Sequence, residues 1–288
     1  MASKKLKAPV NIPTEKIHSF EGHPYKVLDN EEMTLLIESI KEQGILSPII
    51  VRPIEEAEKE YEVISGHRRL HAATKAGMKT VPALIYAISR DEAAIMLVDS
   101  NLHREHILPS EKAFAYKLKL EAIKRQGERT DLTSDQVGRK LESAELIANK
   151  SDDSKTQVRR YIRLTNLIPE LLELVDEKRI AFTPAVELSY LNEVEQADLV
   201  EEISVCDATP NLSQAQRLRA ISREEGLTPE HIGEILAEEK ANQREKIKIP
   251  AERIRRFFPK SYTTEQIEEA IVKICESRYR ARQGRDSR

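Results

Sequence analysis

The segment "VISGHRRLHAATKAG", residues 63–77, constrains this chain more than any other. Val63 and Ile64 are β-branched and favour a pleated strand. Gly66 breaks that strand. Ala72, Ala73 and Ala76 then form a small-residue run that Gly77 closes as a helix terminator. A strand that turns through a glycine straight into a helix is an α/β unit. Four of the five positions after Gly66 are His or Arg: His67, Arg68, Arg69 and His71. Backbone N–H groups at a helix start are unpaired and partly positive. Gly66 lets an anion approach them, and the two guanidiniums suit phosphate oxygens in bidentate fashion. Together these features read as a phosphate cradle. The segment is not a Walker loop, because no glycine-spaced loop ending in Lys-Ser/Thr is present. The competing reading is a solvated helix face whose arginines pair with the acidic loop at 55–60.

The surroundings extend the α/β reading. In "NEEMTLLIESIKEQ", residues 30–43, Met33, Leu36, Ile37 and Ile40 recur at helical spacing, with Asp29 or Asn30 as cap and Gly44 as stop. "SPIIVRP", "EYEVIS" and "VPALIYA" read as strands of a small sheet. Beyond residue 90 the strand signal fades. Helices are expected at 90–101, 110–126, 133–149, 154–165, 169–178, 182–191, 194–204, 213–225, 228–240 and 263–281, several of them punctuated by a proline near the start. The fold class is therefore α+β: a small N-terminal α/β domain over 1–105, an all-α domain over 106–240, and a basic helical region over 241–288.

At 288 residues the chain is long enough for such a division. "MASKKLKAPVN" lacks an apolar stretch behind its lysines, so no signal peptide is expected, and no apolar run suffices to span a bilayer. Cys206 and Cys275 have no partner pattern, which suits a reduced, cytoplasmic protein. Charge is segregated. Residues 191–239 carry 3 basic and 12 acidic groups, net −9, while residues 240–288 carry 14 and 7, net +7. Such asymmetry favours docking or nucleic-acid contact.

Two further segments accompany the cradle: "EQGILSPIIVRP", residues 42–53, and "VDSNLHREHILPSEKAFAY", residues 98–116, where Ser110 is a plausible cap. "GILSPIIVR", "SGHRRLHAA" and "NLHRE-ILPSEKA", in this order, resemble the three boxes of the ParB family of chromosome and plasmid partition proteins, over about residues 10–190. The family's boxes read roughly G-x-x-Q-P-I-x-V-R, G-E-R-R-x-R-A-A and E-N-x-Q-R-E-x-L-x-P-x-E-x-A. The resemblance is to members carried on mobile conjugative elements. It implies an N-terminal domain that binds CTP with Mg²⁺, a helical domain that binds a palindromic site in double-stranded DNA, and a homodimer that CTP closes into a sliding clamp. It also implies a ParA-type ATPase as partner, and a nucleoid-associated location in the cytoplasm. By resemblance, Gly66, His67, Arg68, Arg69, Asn101 and Arg104 line the nucleotide site, with Asn101 and Glu105 as candidate Mg²⁺ ligands. Where the family shows Gln, Glu and Glu, this chain has Ser47, His67 and Ser100. Those departures put hydrolysis in doubt and leave catalytic residues unassigned.

A DNA-reading element is expected independently of the family. "ESAELIANKSDDSKTQVRRYIRLTNL" reads as a helix-turn-helix at about 142–165. Leu146 and Ile147 pack inward from the first helix, Val158 and Ile162 from the second. Lys155, Thr156 and Gln157 lie where a recognition helix meets base edges, and Arg159, Arg160 and Arg163 can add base or phosphate contacts. In the tail, Ile267, Ile271, Ile274 and Cys275 share a helix face that needs a partner surface.

Other functions were weighed on the same residues. A transcriptional regulator of a mobile element would need no nucleotide switch. The pairs His67/His71 and His103/His106 could hold zinc, but no cysteine lies near. Sulfiredoxin has a related fold and a Gly-Cys-His-Arg motif; Ser65-Gly66-His67-Arg68 has no thiol, which excludes its chemistry. No paired carboxylates mark a two-metal nuclease or phosphotransferase.

Overall fold

The computed structural model describes residues 8–55, 57, 59–102, 104, 106–130, 147, 153–238, 251–259 and 261–286. The chain divides into two compact units, Met1–Glu238 and Glu239–Arg288.

The first unit opens with a five-stranded mixed sheet. Its strands are β1 (Val10–Pro13), β2 (Ile17–His18), β3 (Ile49–Pro53), β4 (Tyr61–Ser65) and β5 (Thr80–Ile85), in the order β1-β5-β3-β4-β2. β3 pairs antiparallel with β4 and parallel with β5; β1 closes one edge antiparallel to β5, and β2 the other parallel to β4. The three longer strands are those expected. The two edge strands are additions, because segments this short form only where a neighbour supplies the ladder.

Side-chain alternation gives the sheet two covered faces. Val51 and Val63 point to one face and pack with α1 (Glu31–Gln43) and α2 (His67–Lys75) through Met33, Ile40, Ala72 and Ala73. Asn30 caps α1 by accepting from the Met33 N–H, and Gly44 ends it at φ 71°. Ile50 and Ile64 point to the other face and pack with α3 (Arg90–Asn101) and α4 (Pro109–Thr130) through Ala94, Leu97, Val98 and Ala115. Charges also join α3 to α4. Arg125 Nε meets Asp91 at 2.7 Å, and the buried Lys119 ammonium meets Asp99. This pairing carries the end of α3, with Asn101 and Arg104, towards the start of α2.

Six further helices of the unit lie among the described residues: α5 (Lys155–Leu164), α6 (Pro169–Asp176), α7 (Phe182–Leu188), α8 (Glu193–Cys206), α9 (Leu212–Glu224) and α10 (Pro229–Ala237). Leu164, Leu171, Leu188, Leu199, Leu218 and Ile232 form their common core. Gln196, buried there, is fully engaged: it accepts from the Ile168 N–H and donates to the carbonyls of Asn166 and Leu191. Ser110 does not act as the expected cap. It sits inside α4 and donates to Asp176 at 2.6 Å, while Glu111 accepts the Leu108 N–H.

The second unit holds α11 (Ala251–Arg255) and α12 (Thr264–Asp286). Ile267 is buried, whereas Ile274 and Cys275 are exposed. No described helix is long and apolar enough to cross a membrane.

Candidate functional site

The cradle forms where β4 meets α2. Gly66 adopts φ 100°, in the left-handed region, and is the residue that caps α2. A Cβ there would lie 2.8 Å from Ile49 Cγ2 and 3.1 Å from Arg69 Nη2. The first bond within the helix runs from the Leu70 N–H to the Gly66 carbonyl, and no side chain caps the helix start. The amides of residues 67–69 therefore face outward as donors, at the positive end of the helix dipole.

The two arginines divide their work. Arg68 is exposed and its only described ion pair is with Glu32, at 3.0 Å. A pair this exposed contributes little and yields readily to a better anion. Arg69 is turned inward. Its Nη1 donates to the carbonyls of Ser47 and Pro48, the latter at 2.9 Å, and burial lowers its pKa. Arg69 thus ties the first box to the second and holds the Gly66 turn in place. Among the described residues of the loop at 55–60, none pairs with either arginine; Glu56 and Glu58 lie outside the described residues.

His67, the first residue of α2, stacks on His23 with ring centroids 3.6 Å apart. Sequence reasoning missed His23, which comes from the loop before α1; nothing local in "FEGHPYK" marks it. Arg104 lies near both rings, and its guanidinium is 5.7 Å from the Tyr25 ring centroid. Burial first, then the neighbouring positive charges, lower the His67 pKa to about 3; burial chiefly, with Arg104, lowers that of His23 to about 4. Burial pushes the Tyr25 hydroxyl well above its ordinary range.

Asn101 is buried and turned back on its own helix. Its amide nitrogen donates to the Leu97 carbonyl at 2.7 Å and to Ser100 at 3.3 Å. Its backbone carbonyl accepts the Arg104 N–H at 3.2 Å, which fixes the turn that brings Arg104 to the histidines. Of the two candidate Mg²⁺ ligands, Asn101 is held by these bonds within its own helix and Glu105 lies outside the described residues. No group of three His, Cys, Asp or Glu suited to a metal occurs among the described residues. The paired histidines go to different partners: His67 stacks on His23, and His71 bonds to Asp29 at 2.8 Å. His103 lies outside the described residues.

The second candidate site is α5. Ser154 caps it by accepting from the Gln157 N–H. Val158 and Ile147 are buried together with Tyr116, and Ile162 packs on them. The rest of that motif's first helix, including Leu146, and most of its turn lie outside the described residues. Thr156 and Arg159 are exposed; Lys155 and Gln157 are half-buried. Arg160 and Arg163 are half-buried. Arg160 donates to Thr183 at 2.9 Å and lies over the Phe182 ring. Arg163 donates to the Ser189 carbonyl at 3.0 Å and stacks on Tyr190, whose ring Arg219 also meets at 3.5 Å. Aromatic rings at 182 and 190 compete for these guanidiniums at little cost, because stacking leaves their N–H edges usable.

The chain thus joins an α/β domain, with a strand–glycine–helix turn, to a helical bundle that carries a basic amphipathic helix. Residues 2–102 match the ParB N-terminal domain family, and through that domain the chain belongs to the ParB family. It is 32% identical over 171 residues to the chromosome-partitioning protein Spo0J of Thermus thermophilus, covering 59% of this chain and 56% of the relative. It is 31% identical over 208 residues to a nucleoid occlusion protein of Geobacillus thermodenitrificans, covering 72% and 66%. Among solved structures it resembles the C-terminally truncated chromosome-partitioning protein ParB from Caulobacter crescentus complexed to the centromeric parS site. That match has a TM-score of 0.42 and 21% identity, and covers 73% of this chain and 98% of the other. The chain spans a little over half the length of the first curated relatives it matches.

Proposed function

We propose that this chain is a sequence-specific, double-stranded DNA-binding protein that works as a CTP-responsive clamp in the partition of a plasmid, chromosome or mobile element. One observation carries the reading: the Gly66 turn, wedged against Ile49 and tied by Arg69 to the 47–48 carbonyls, opens a helix whose first-turn amides are uncapped. A cradle of that kind suits a triphosphate. Arg68 exchanges Glu32 for phosphate oxygens, Arg104 adds a second cation, and Asn101 with Glu105 supplies Mg²⁺ with oxygen. Arg69 acts by holding the turn.

The DNA is read by α5. Lys155, Thr156 and Gln157 meet base edges, and Arg159, Arg160 and Arg163 meet bases or phosphates. The active form is a homodimer that works on the nucleoid in the cytoplasm, with a ParA-type ATPase as partner. Relatives named for chromosome partition and nucleoid occlusion support this role.

Chromatin immunoprecipitation with sequencing tests the reading. One sharp palindromic peak with spreading flanks is expected. Absence of enrichment at any site overturns it.

A further inference from the structure

His23 and His67 present an unusual arrangement. Their rings overlap at 3.6 Å, inclined by 30°, and His67 Nε2 is buried with no hydrogen-bond partner among the described residues. Tyr25 meets His23 edge-on at 5.6 Å. Among the described residues, few groups face the pair. The loop before α1 contributes Tyr25, and the segment after α3 contributes Arg104. Asp99 of α3 and Glu111 of α4 act on Tyr25, one step away. Both carboxylates are engaged: Asp99 holds Lys119, and Glu111 accepts the N–H groups of Lys26 and Leu108. Among the described residues, the carboxylates nearest the pair are thus engaged elsewhere, and a cation stands beside it. A buried polar nitrogen left without a partner costs free energy unless a ligand uses it.

We infer that His23 and His67 are anion-binding residues of the cradle, and that a phosphate group seated there brings one proton onto the pair. This rests on the nucleotide reading above. An anion beside the amides of residues 67–69 places negative charge next to imidazoles that burial and Arg104 keep neutral, so it raises their proton affinity. Only one proton is taken up, because two imidazoliums in face contact repel each other. The protonated pair then donates to a phosphate oxygen, in a box position where the family's usual residue is an acceptor carboxylate. The site favours ligands with a terminal phosphate dianion, and it binds them with less reliance on a metal.

The sign follows from linkage. The bound state holds more protons than the free state, so affinity rises as pH falls through the pair's bound-state range. The terminal phosphate of the nucleotide titrates too, but it does so identically for every protein variant. Titration calorimetry of the full chain with CTP, at pH 7.5 and 5.5 and in two buffers of different ionisation enthalpy, tests the inference against His67→Asn and His23→Asn. For the wild type we expect proton uptake and a pH-dependent gain in affinity over the variants that approaches about tenfold per pH unit at most. Binding by the wild type with no proton uptake, and with a pH profile identical to both variants, overturns this inference and leaves the nucleotide reading standing. Failure of the wild type to bind CTP at either pH overturns both.

Discussion

Gly66 and Ile49 fit against each other so closely that a single added carbon on residue 66 would stand 2.8 Å from Ile49 Cγ2. The contact joins the first and second boxes of the sequence and sets the angle at which α2 leaves the sheet. With φ at 100°, Gly66→Ala meets backbone strain and steric overlap together. Strain alone costs about 1–3 kcal/mol. The variant should unfold at lower urea concentration and lose CTP binding. A variant of unchanged stability with intact binding would contradict the assigned role of the turn.

Arg68 and Arg69 should separate cleanly. The exposed Arg68–Glu32 pair adds about 0–1 kcal/mol at most, so Arg68→Ala should keep its melting temperature while losing triphosphate binding. First-encounter DNA binding should survive and clamp closure should fail. Arg69→Ala removes the donor to the Ser47 and Pro48 carbonyls and should melt earlier. Calorimetry that finds CTP affinity of Arg68→Ala within about twofold of wild type would remove Arg68 from the site.

Arg159 is the exposed arginine of α5, whereas Arg160 also bonds to Thr183. Arg159→Ala should therefore weaken cognate DNA binding by about 1–3 kcal/mol without touching stability. The Arg159→Ala, Arg160→Ala pair should abolish specific binding while CTP binding continues. Fluorescence anisotropy over a salt series reads this out. An unchanged salt slope with unchanged cognate affinity would rule out α5 as the reader.

Hydrolysis should be slow or absent. Ser47, His67 and Ser100 stand where the family resemblance implies Gln, Glu and Glu. Mg²⁺ favours oxygen ligands, commonly one or two carboxylates with the substrate's phosphates, and a neutral His67 offers nitrogen. The clamp should then open by nucleotide release. Phosphate release measured with CTP, Mg²⁺ and cognate DNA decides this, and DNA-dependent turnover on the minute scale would refute it.

Stability should also fall in mild acid. His23 and His67 are neutral in the folded chain, with pKa values near 4 and 3, against an ordinary value near 6.5. Below pH 6.5 the unfolded chain gains protons that the folded chain refuses, so stability is fully present above 6.5 and declines as pH drops towards 4. Urea unfolding at pH 7 and pH 5 should show this decline, and the His23→Asn, His67→Asn double variant should flatten it.

Most of the described helices, the Asn30 cap and the three boxes were legible because their causes are local, whereas Ser110 was not the cap its sequence position suggested. Asn30 reaches the N–H of Met33, three residues on. The apolar spacing of Val158 and Ile162 follows from helix pitch. Gly66 was marked by the strand before it and the small residues after it. Tertiary structure alone decided the rest. β1 exists because Val10 finds Ala83 across the ladder. Arg69 turns to the 47–48 carbonyls, Arg160 and Arg163 turn to Thr183 and Ser189, and His23 arrives beside His67 from a loop with no marking of its own. The physical reason is range: backbone periodicity and capping act within one helical turn, whereas a guanidinium or imidazole takes the partner that chain folding brings within about 3–4 Å, from any distance along the sequence.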